Sequence, residues 1–127
     1  MSTIIAIKEG NRFSYIWSGD YGSVETVGKE LRKYYNSTDE ARGLINSGKF
    51  EYREGKDSDQ VKRVKQEPKI VNDFEEFLKN ERSNLGLIHA YYFDTNDNSW
   101  YVYQWLRLGI EKRKLDDVII ERFLGIS

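Results

Sequence analysis

The sequence contains no cysteine, one proline and one histidine. Without cysteine there is no disulfide framework, no thiolate nucleophile and no zinc site built on sulfur ligands. The single histidine, His89, falls within an alternating aromatic segment, which favours a structural role, because a general base needs a positioned partner that the sequence does not reveal. We therefore predict no metal site, no catalytic residue and no cofactor.

Long apolar runs and an excess of one charge are also missing. The apolar runs fall far short of the roughly twenty residues that span a membrane, and the start, Met1-Ser2-Thr3-Ile4, lacks the features of a signal peptide. The 20 basic and 21 acidic side chains give a net charge of −1. Because phosphate neutralisation dominates binding to duplex nucleic acid, this balance disfavours such a partner. We expect a cytoplasmic protein that does not bind membranes, and nucleic acid is disfavoured as a partner, although a local basic patch stays open.

The length of 127 residues indicates a single domain covering residues 1–127. Apolar segments at residues 3–7 and 13–17 flank Gly10-Asn11, a turn signal that predicts a hairpin. Helical spacing and three capping signals follow: a cap at Ser23, the capping box Ser37-Thr38-Asp39-Glu40, and a capping signature in Asn72-Asp73-Phe74-Glu75. With strands at both ends and helices in the middle, the sequence predicts an α+β fold, a mostly antiparallel β-sheet with two or three helices packed on one face.

The sequence leaves the local structure of several segments open. Gly28 lies on the apolar face of the first helix, where close backbone packing would explain a glycine, and Gly48 is a C-cap candidate. Residues 49–69 are highly charged and predict short strands or a mobile segment. Residues 115–123 fit either a helix or a strand.

The most informative feature is a surplus of aromatic residues near the C-terminus. Seven of them fall within fifteen positions: Tyr91, Tyr92, Phe93, Trp100, Tyr101, Tyr103 and Trp105. They flank a polar loop and predict a hairpin of two aromatic strands over about residues 87–93 and 100–106. One core needs about half of these rings. The other strand face must therefore lie under a helix, in a subunit interface, or against a flat ligand.

The polar loop, residues 94–99, favours a hairpin turn, since Asn and Asp tolerate turn conformations and the glycine and distal glutamate of a calcium loop are missing. It could also offer donors and acceptors to a ligand. Arg32 and Lys33 project from the first helix, and Lys112-Arg113-Lys114 forms a basic run. Such cations are either solvated surface or, if they converge on the hairpin, partners for a phosphorylated nucleotide, because bases stack on aromatic rings and arginine forks onto phosphate.

The chain also resembles a group of small phage and prophage proteins. The resemblance is carried by Ile4-Ile5-Ala6-Ile7, Trp17-Ser18-Gly19-Asp20-Tyr21-Gly22, Val27-Gly28-Lys29-Glu30-Leu31, Tyr34-Tyr35-Asn36, Leu44-Ile45-Asn46-Ser47-Gly48 and Ser99-Trp100-Tyr101-Val102. Among such proteins it is similar to Thoeris anti-defence proteins of the first kind, which sequester the cyclic ADP-ribose-like signal of a host immune system. The resemblance implies a non-enzymatic sponge in the host bacterial cytoplasm, and a homo-oligomer, dimeric or higher, with ligand pockets between protomers.

Arginine, asparagine and aromatic contacts to the ligand are implied as well. By residue type and setting, the ligand-binding candidates are Arg32, Tyr92, Phe93, Asn96, Asn98, Trp100 and Arg113. Three other functions are weaker alternatives: a protein–protein inhibitor, an enzyme, and a single-strand nucleic-acid binder, which the acidic balance disfavours. The aromatic hairpin could dock onto a host protein as a protein–protein inhibitor, because Tyr and Trp dominate interface hot spots. An enzyme using paired carboxylates is disfavoured, because neighbours such as Glu75 and Glu76 diverge on a helix.

Overall fold

A computed structural model describes residues 2–18, 23–50, 65–85, 87–106 and 109–123. The strands are β1 (Ser2–Glu9), β2 (Arg12–Ser18), β3 (Lys69–Val71), β4 (Leu87–Asp94), β5 (Ser99–Leu106) and β6 (Gly109–Lys114). The α-helices are α1 (Lys29–Tyr34), α2 (Thr38–Ser47), α3 (Phe74–Leu85) and α4 (Leu115–Phe123). The charged segment predicted as short strands or a mobile region ends in the short strand β3, and residues 51–64 lie outside the described residues.

The six strands form one sheet in the order β3-β2-β1-β4-β5-β6. Every neighbouring pair is antiparallel except β1 and β4, which run parallel at the centre. A parallel pair needs a long crossover, and the helical middle of the chain supplies it. The predicted α+β class with a mostly antiparallel sheet is confirmed.

Both predicted hairpins form where the turn residues allow them. Gly10 adopts a φ of 63° between β1 and β2, and Asn98 adopts a φ of 54° between β4 and β5. Asparagine is among the few residues that tolerate this left-handed region. The registers place Ile5 opposite Ile16 and Phe93 opposite Trp100, so each hairpin sends matched apolar pairs to the same face.

Three α-helices cover one face of the sheet, which we call the three-helix face. Its core contains Ile5, Ile7, Ile16, Val24, Val27, Leu31, Tyr35, Ala41, Leu44, Ile45, Phe50, Tyr91, Phe93, Trp100, Val102, Leu115 and Val118. The predicted cap of α2 at Ser37 is confirmed, since the Glu40 N–H donates to Ser37 Oγ at 3.2 Å, and the Glu40 carboxylate accepts from the same hydroxyl at 3.0 Å. Gly48 ends the helix with a φ of 77°, as predicted for a C-cap.

The start of the first helix differs from the prediction. Val24–Gly28 forms a π-helical turn before α1, and the Ser23 side chain makes no capping hydrogen bond to the backbone. Its hydroxyl lies 2.8 Å from Thr26 Oγ1 instead. The Ser23 cap prediction was therefore wrong, because the Gly28 N–H reaches back to Ser23 O at 3.3 Å and the turn opens wider than an α-helix. The predicted close packing at Gly28 is confirmed, as a Cβ there would lie 3.2 Å from Leu115 Cδ1.

α3 lies on the opposite face of the sheet, which we call the α3 face. Asp73 caps this helix, because its Oδ1 accepts from the Glu76 N–H at 3.0 Å. Phe74 and Leu78 are buried there against small side chains of the sheet, Ala6 and Ala90. Three helices thus share one face, and the fourth covers part of the other.

The C-terminal part resolves the ambiguity left by the sequence. The stretch that fitted a helix or a strand is the helix α4, which buries Leu115 and Val118 on the three-helix face. The strand β6 before it was not predicted, because four of its six residues are charged. None of the helices in the described ranges is long and apolar enough to cross a membrane.

Candidate functional site

The aromatic hairpin divides its rings between the two faces of the sheet. Phe93 and Trp100 point to the three-helix face, where they are 0% and 2% exposed and meet edge to face at 5.5 Å. The Trp100 indole donates to the Tyr35 carbonyl oxygen at 2.9 Å. These two ligand-binding candidates therefore hold the core of the single chain together, and their rings are not accessible from its surface.

Tyr92, the third aromatic candidate, points to the α3 face. Its ring stacks on Tyr101 at 5.2 Å and meets the edge of Phe74 from α3 at 5.9 Å. Only 3% of Tyr92 is exposed, and burial raises its pKa well above the ordinary tyrosine value. Part of the aromatic surplus is thus explained by the helix that covers the second face, which was one of the three predicted alternatives.

The remaining rings line a surface at the edge of α3. Alternation along β5 and β6 sends six side chains to the α3 face, and they pair across the two strands as Tyr101 with Lys114, Tyr103 with Lys112, and Trp105 with Ile110. We call this surface the β5–β6 shelf. Tyr103 is buried against Phe74, whereas Tyr101, Trp105 and Ile110 are half-buried and Lys112 is exposed. The shelf therefore offers ring surface and ammonium groups together.

Lysines and a carboxylate both lie beside one ring of the shelf, Tyr101. The Lys112 Nζ lies 5.6 Å from the centre of the Tyr101 ring, within the range of a cation–π contact. On the other side, the Tyr101 hydroxyl donates to Asp97 Oδ2 at 2.5 Å. This hydrogen bond, followed by burial and the nearby carboxylates, raises the pKa of Tyr101 to about 12. A ligand beside Tyr101 would meet both cations and a carboxylate.

The pKa of Tyr103 is raised for similar reasons. Burial comes first and the carboxylates of Glu75 and Asp73 second in raising the pKa of Tyr103 to about 12. Both shelf phenols are consequently protonated at neutral pH and can donate hydrogen bonds. They are weak candidates for a general base, since the ideal base has a pKa near the operating pH.

The two arginine candidates lie away from the shelf. Arg113 stands opposite Val102 on the three-helix face, and its Nε is 3.7 Å from Glu111 Oε1. Arg32 projects from α1 and forms an ion pair with Asp116 of α4. Neither converges on the half-buried rings, and the cations beside those rings are lysines from the same basic run as Arg113.

The two asparagine candidates belong to the turn between β4 and β5. The Asn96 N–H donates to Asp94 Oδ1 at 2.9 Å, which is a local turn contact. Asn98 Oδ1 accepts from Thr38 Oγ1 at 2.9 Å and so ties the turn to α2. Both residues are exposed at this end of the sheet, in the role that the turn interpretation assigned to them.

The prediction of Arg113 missed Lys112 and Lys114, although the sequence contains a signal for them. In a strand, Ile110, Lys112 and Lys114 fall on one face, whereas Glu111 and Arg113 fall on the other. Applying this period of two to the basic run separates Lys112 from Arg113. Once β6 is paired with β5, Lys112 lies opposite Tyr103 and Lys114 lies opposite Tyr101.

Comparison with known proteins adds no constraint on the site. No protein-family model matches the chain, and no curated protein or solved structure is significantly similar to it. The similarity to Thoeris anti-defence proteins stays a prediction from the residues. Within the part of the chain that the structure describes, no group of three or more metal-binding side chains could hold a metal ion.

Proposed function

We propose that this protein is a phage-encoded anti-defence protein that binds and sequesters a nucleotide-type immune signal, a cyclic ADP-ribose isomer or a related cyclic nucleotide, without cleaving it. The observation that carries the proposal is the β5–β6 shelf, where Lys112 lies 5.6 Å from the ring centre of Tyr101. A half-buried ring beside an ammonium group matches a ligand that combines a flat base with phosphate. The sequence resemblance given above supplies the biological setting.

The chemistry of the shelf suits such a ligand part by part. A base can stack on Trp105, and stacking of this kind contributes roughly 1–3 kcal/mol per base. The Tyr101 ring itself stacks on Tyr92 and has Lys112 over it, so it holds the ammonium group in place. Lys112 and Lys114 are two positions apart on β6, so their ammonium groups can contact phosphates on the same side of the base. The Asp97 carboxylate beside Tyr101 can accept from an amine or a ribose hydroxyl.

Binding without cleavage is favoured by the protonation state of the shelf. The hydroxyls of Tyr101 and Tyr103, with pKa values raised to about 12, stay protonated at neutral pH, so neither phenol serves as a general base, and the Tyr101 proton is donated to Asp97. A sponge must also outcompete the receptor of the signal, for which a dissociation constant near nanomolar, about −12 kcal/mol, is needed. Because the described residues leave Tyr101, Trp105 and Ile110 only half-buried, we propose that a homo-oligomer, dimeric or higher, encloses the ligand between protomers in the host cytoplasm.

The test is calorimetric titration of the purified protein with cyclic ADP-ribose isomers and cyclic dinucleotides, followed by mass spectrometry of ligand released on denaturation. We expect tight binding and recovery of intact ligand. Trp105→Ala should weaken binding by about 5- to 150-fold, the range that corresponds to one lost stack. Lys112→Ala should weaken it by about tenfold, with a smaller salt dependence.

The matched control is Lys29→Ala, which removes an exposed lysine from α1. It should bind as the wild type does. Absence of heat with every ligand would refute the proposal for these ligands, and a chemically altered ligand would indicate an enzyme. A stable complex with a host protein that Trp105→Ala abolishes, without any ligand binding, would favour the protein–protein inhibitor instead.

A further inference from the structure

The strand β6 forms one edge of the sheet. Among the described residues its only strand partner is β5, so its outer backbone groups face away from the sheet. Such an edge is a template for pairing with another strand unless its side chains prevent it. The side chains of β6 are therefore informative about which strand it can accept.

Charges on β6 alternate in a way that complements a second copy of the same strand. On the three-helix face, Glu111 and Arg113 are neighbours with side chains 44% and 28% exposed. An antiparallel pair of identical strands that forms a continuous sheet is centred on one residue. Centring on Glu111 sets glutamate opposite glutamate, and centring on Arg113 sets arginine opposite arginine. Centring on Lys112 sets each Glu111 opposite an Arg113.

We propose that β6 pairs antiparallel with β6 of a second copy in the register centred on Lys112, which joins two β5–β6 shelves into one anion-binding surface. This inference rests on the proposed function for the purpose of the shelf, but the pairing itself follows from the charges of β6. Opposite charges directly across an antiparallel pair stabilise it, and like charges destabilise it. The register therefore gains two favourable pairs on the three-helix face.

In the same register, the lysines on the α3 face make pairing of the two strands dependent on a bound anion. The two copies of Lys112 stand directly opposite one another, flanked by both copies of Lys114. Their repulsion opposes pairing in the absence of ligand, as edge lysines do in many sheets. A multivalent anion placed between them removes this repulsion and binds lysines from both copies. Each shelf on its own is thus half of the anion site.

The experiment measures mass by analytical ultracentrifugation, with and without pyrophosphate as the probe. We expect the wild type to shift from about 15.0 kDa towards twice that mass when pyrophosphate is added. Lys112→Ala should form the dimer without pyrophosphate, because the central repulsion is gone. Lys29→Glu, a charge reversal at an exposed position on α1, should behave as the wild type does.

Complementary charge reversals test the register. Glu111→Arg makes both positions basic and Arg113→Glu makes both acidic, so each variant alone should remain monomeric with pyrophosphate. An equimolar mixture should form a heterodimer, which also demonstrates that both variants fold. The pairing would be overturned if the wild type stayed monomeric at every pyrophosphate concentration, or if either single variant dimerised as well as the wild type. If wild-type protein fails to dimerise yet still binds a cyclic nucleotide by calorimetry, self-pairing fails while the proposed function stands.

Discussion

Replacing Trp100 by phenylalanine should destabilise the fold without affecting ligand binding. The indole is 2% exposed and donates to the Tyr35 carbonyl oxygen at 2.9 Å. Phenylalanine removes this buried hydrogen bond, at a cost of about 1–3 kcal/mol. The lost ring carbons add on the order of 1 kcal/mol, at about 0.8 kcal/mol per buried carbon group. We therefore expect a loss of about 2–4 kcal/mol in the free energy of unfolding.

Urea denaturation followed by circular dichroism measures this loss, and Trp17→Phe is the matched control. Trp17 is half-buried on β2 and meets Tyr15 edge to face at 6.4 Å, so the same substitution should cost less than half as much. Equal losses for the two variants would refute the argument from burial and hydrogen bonding. If Trp100→Phe instead left stability unchanged and abolished ligand binding, Trp100 would be a ligand residue and the core assignment would be wrong.

Glycine and tyrosine provide two further predictions. Gly48→Ala should lower the free energy of unfolding by at least about 2 kcal/mol, because its φ of 77° disfavours a side chain and the Cβ would lie 2.3 Å from Gln66 O. Gly43→Ala has open space around the Cβ and should stabilise α2 by about 0.5–1 kcal/mol. Urea denaturation of the two variants compares these effects. The pKa of Tyr103 is raised from 10.0 to about 12 in the folded protein, so the unfolded chain loses this proton at a lower pH. The stability that Tyr103 contributes through this difference is therefore complete below pH 10 and is lost as the pH rises towards 12. Tyr103→Phe should flatten this alkaline fall in stability, and an unchanged pH profile would contradict the assignment.

Local signals predicted most of the secondary structure because their causes lie within a few residues. The hairpin at Gly10, the cap at Ser37 and the C-cap at Gly48 each depend on one turn of chain. The wrong prediction at Ser23 shows where such signals end. A capping residue marks the start of a helix, but it does not determine whether the first turn is an α or a π turn. Gly28 in that turn also packs closely against Leu115, far along the chain.

The pairing of β1 with β4 and the position of α3 could not be predicted from local signals. The sequence indicated too many rings for one core, but the face that each ring occupies depends on strand register and on which helix crosses which face. Phe74 of α3 contacts Tyr92 and Tyr103 on the second face, and this contact uses rings that otherwise looked available to a ligand.

Whether Lys112 or Arg113 belongs to the candidate site depends on which face of the strand each residue occupies. Read as a basic run, Lys112 and Arg113 are equivalent cations, and arginine is the better phosphate ligand. Read as an edge strand, Arg113 faces Val102 in the three-helix core and Lys112 faces Tyr103 on the shelf. β6 was not predicted because charged residues hide its period of two, yet the same charges are typical of an edge strand. A charged segment that follows an aromatic strand should therefore be tested for alternation before its cations are assigned to a ligand.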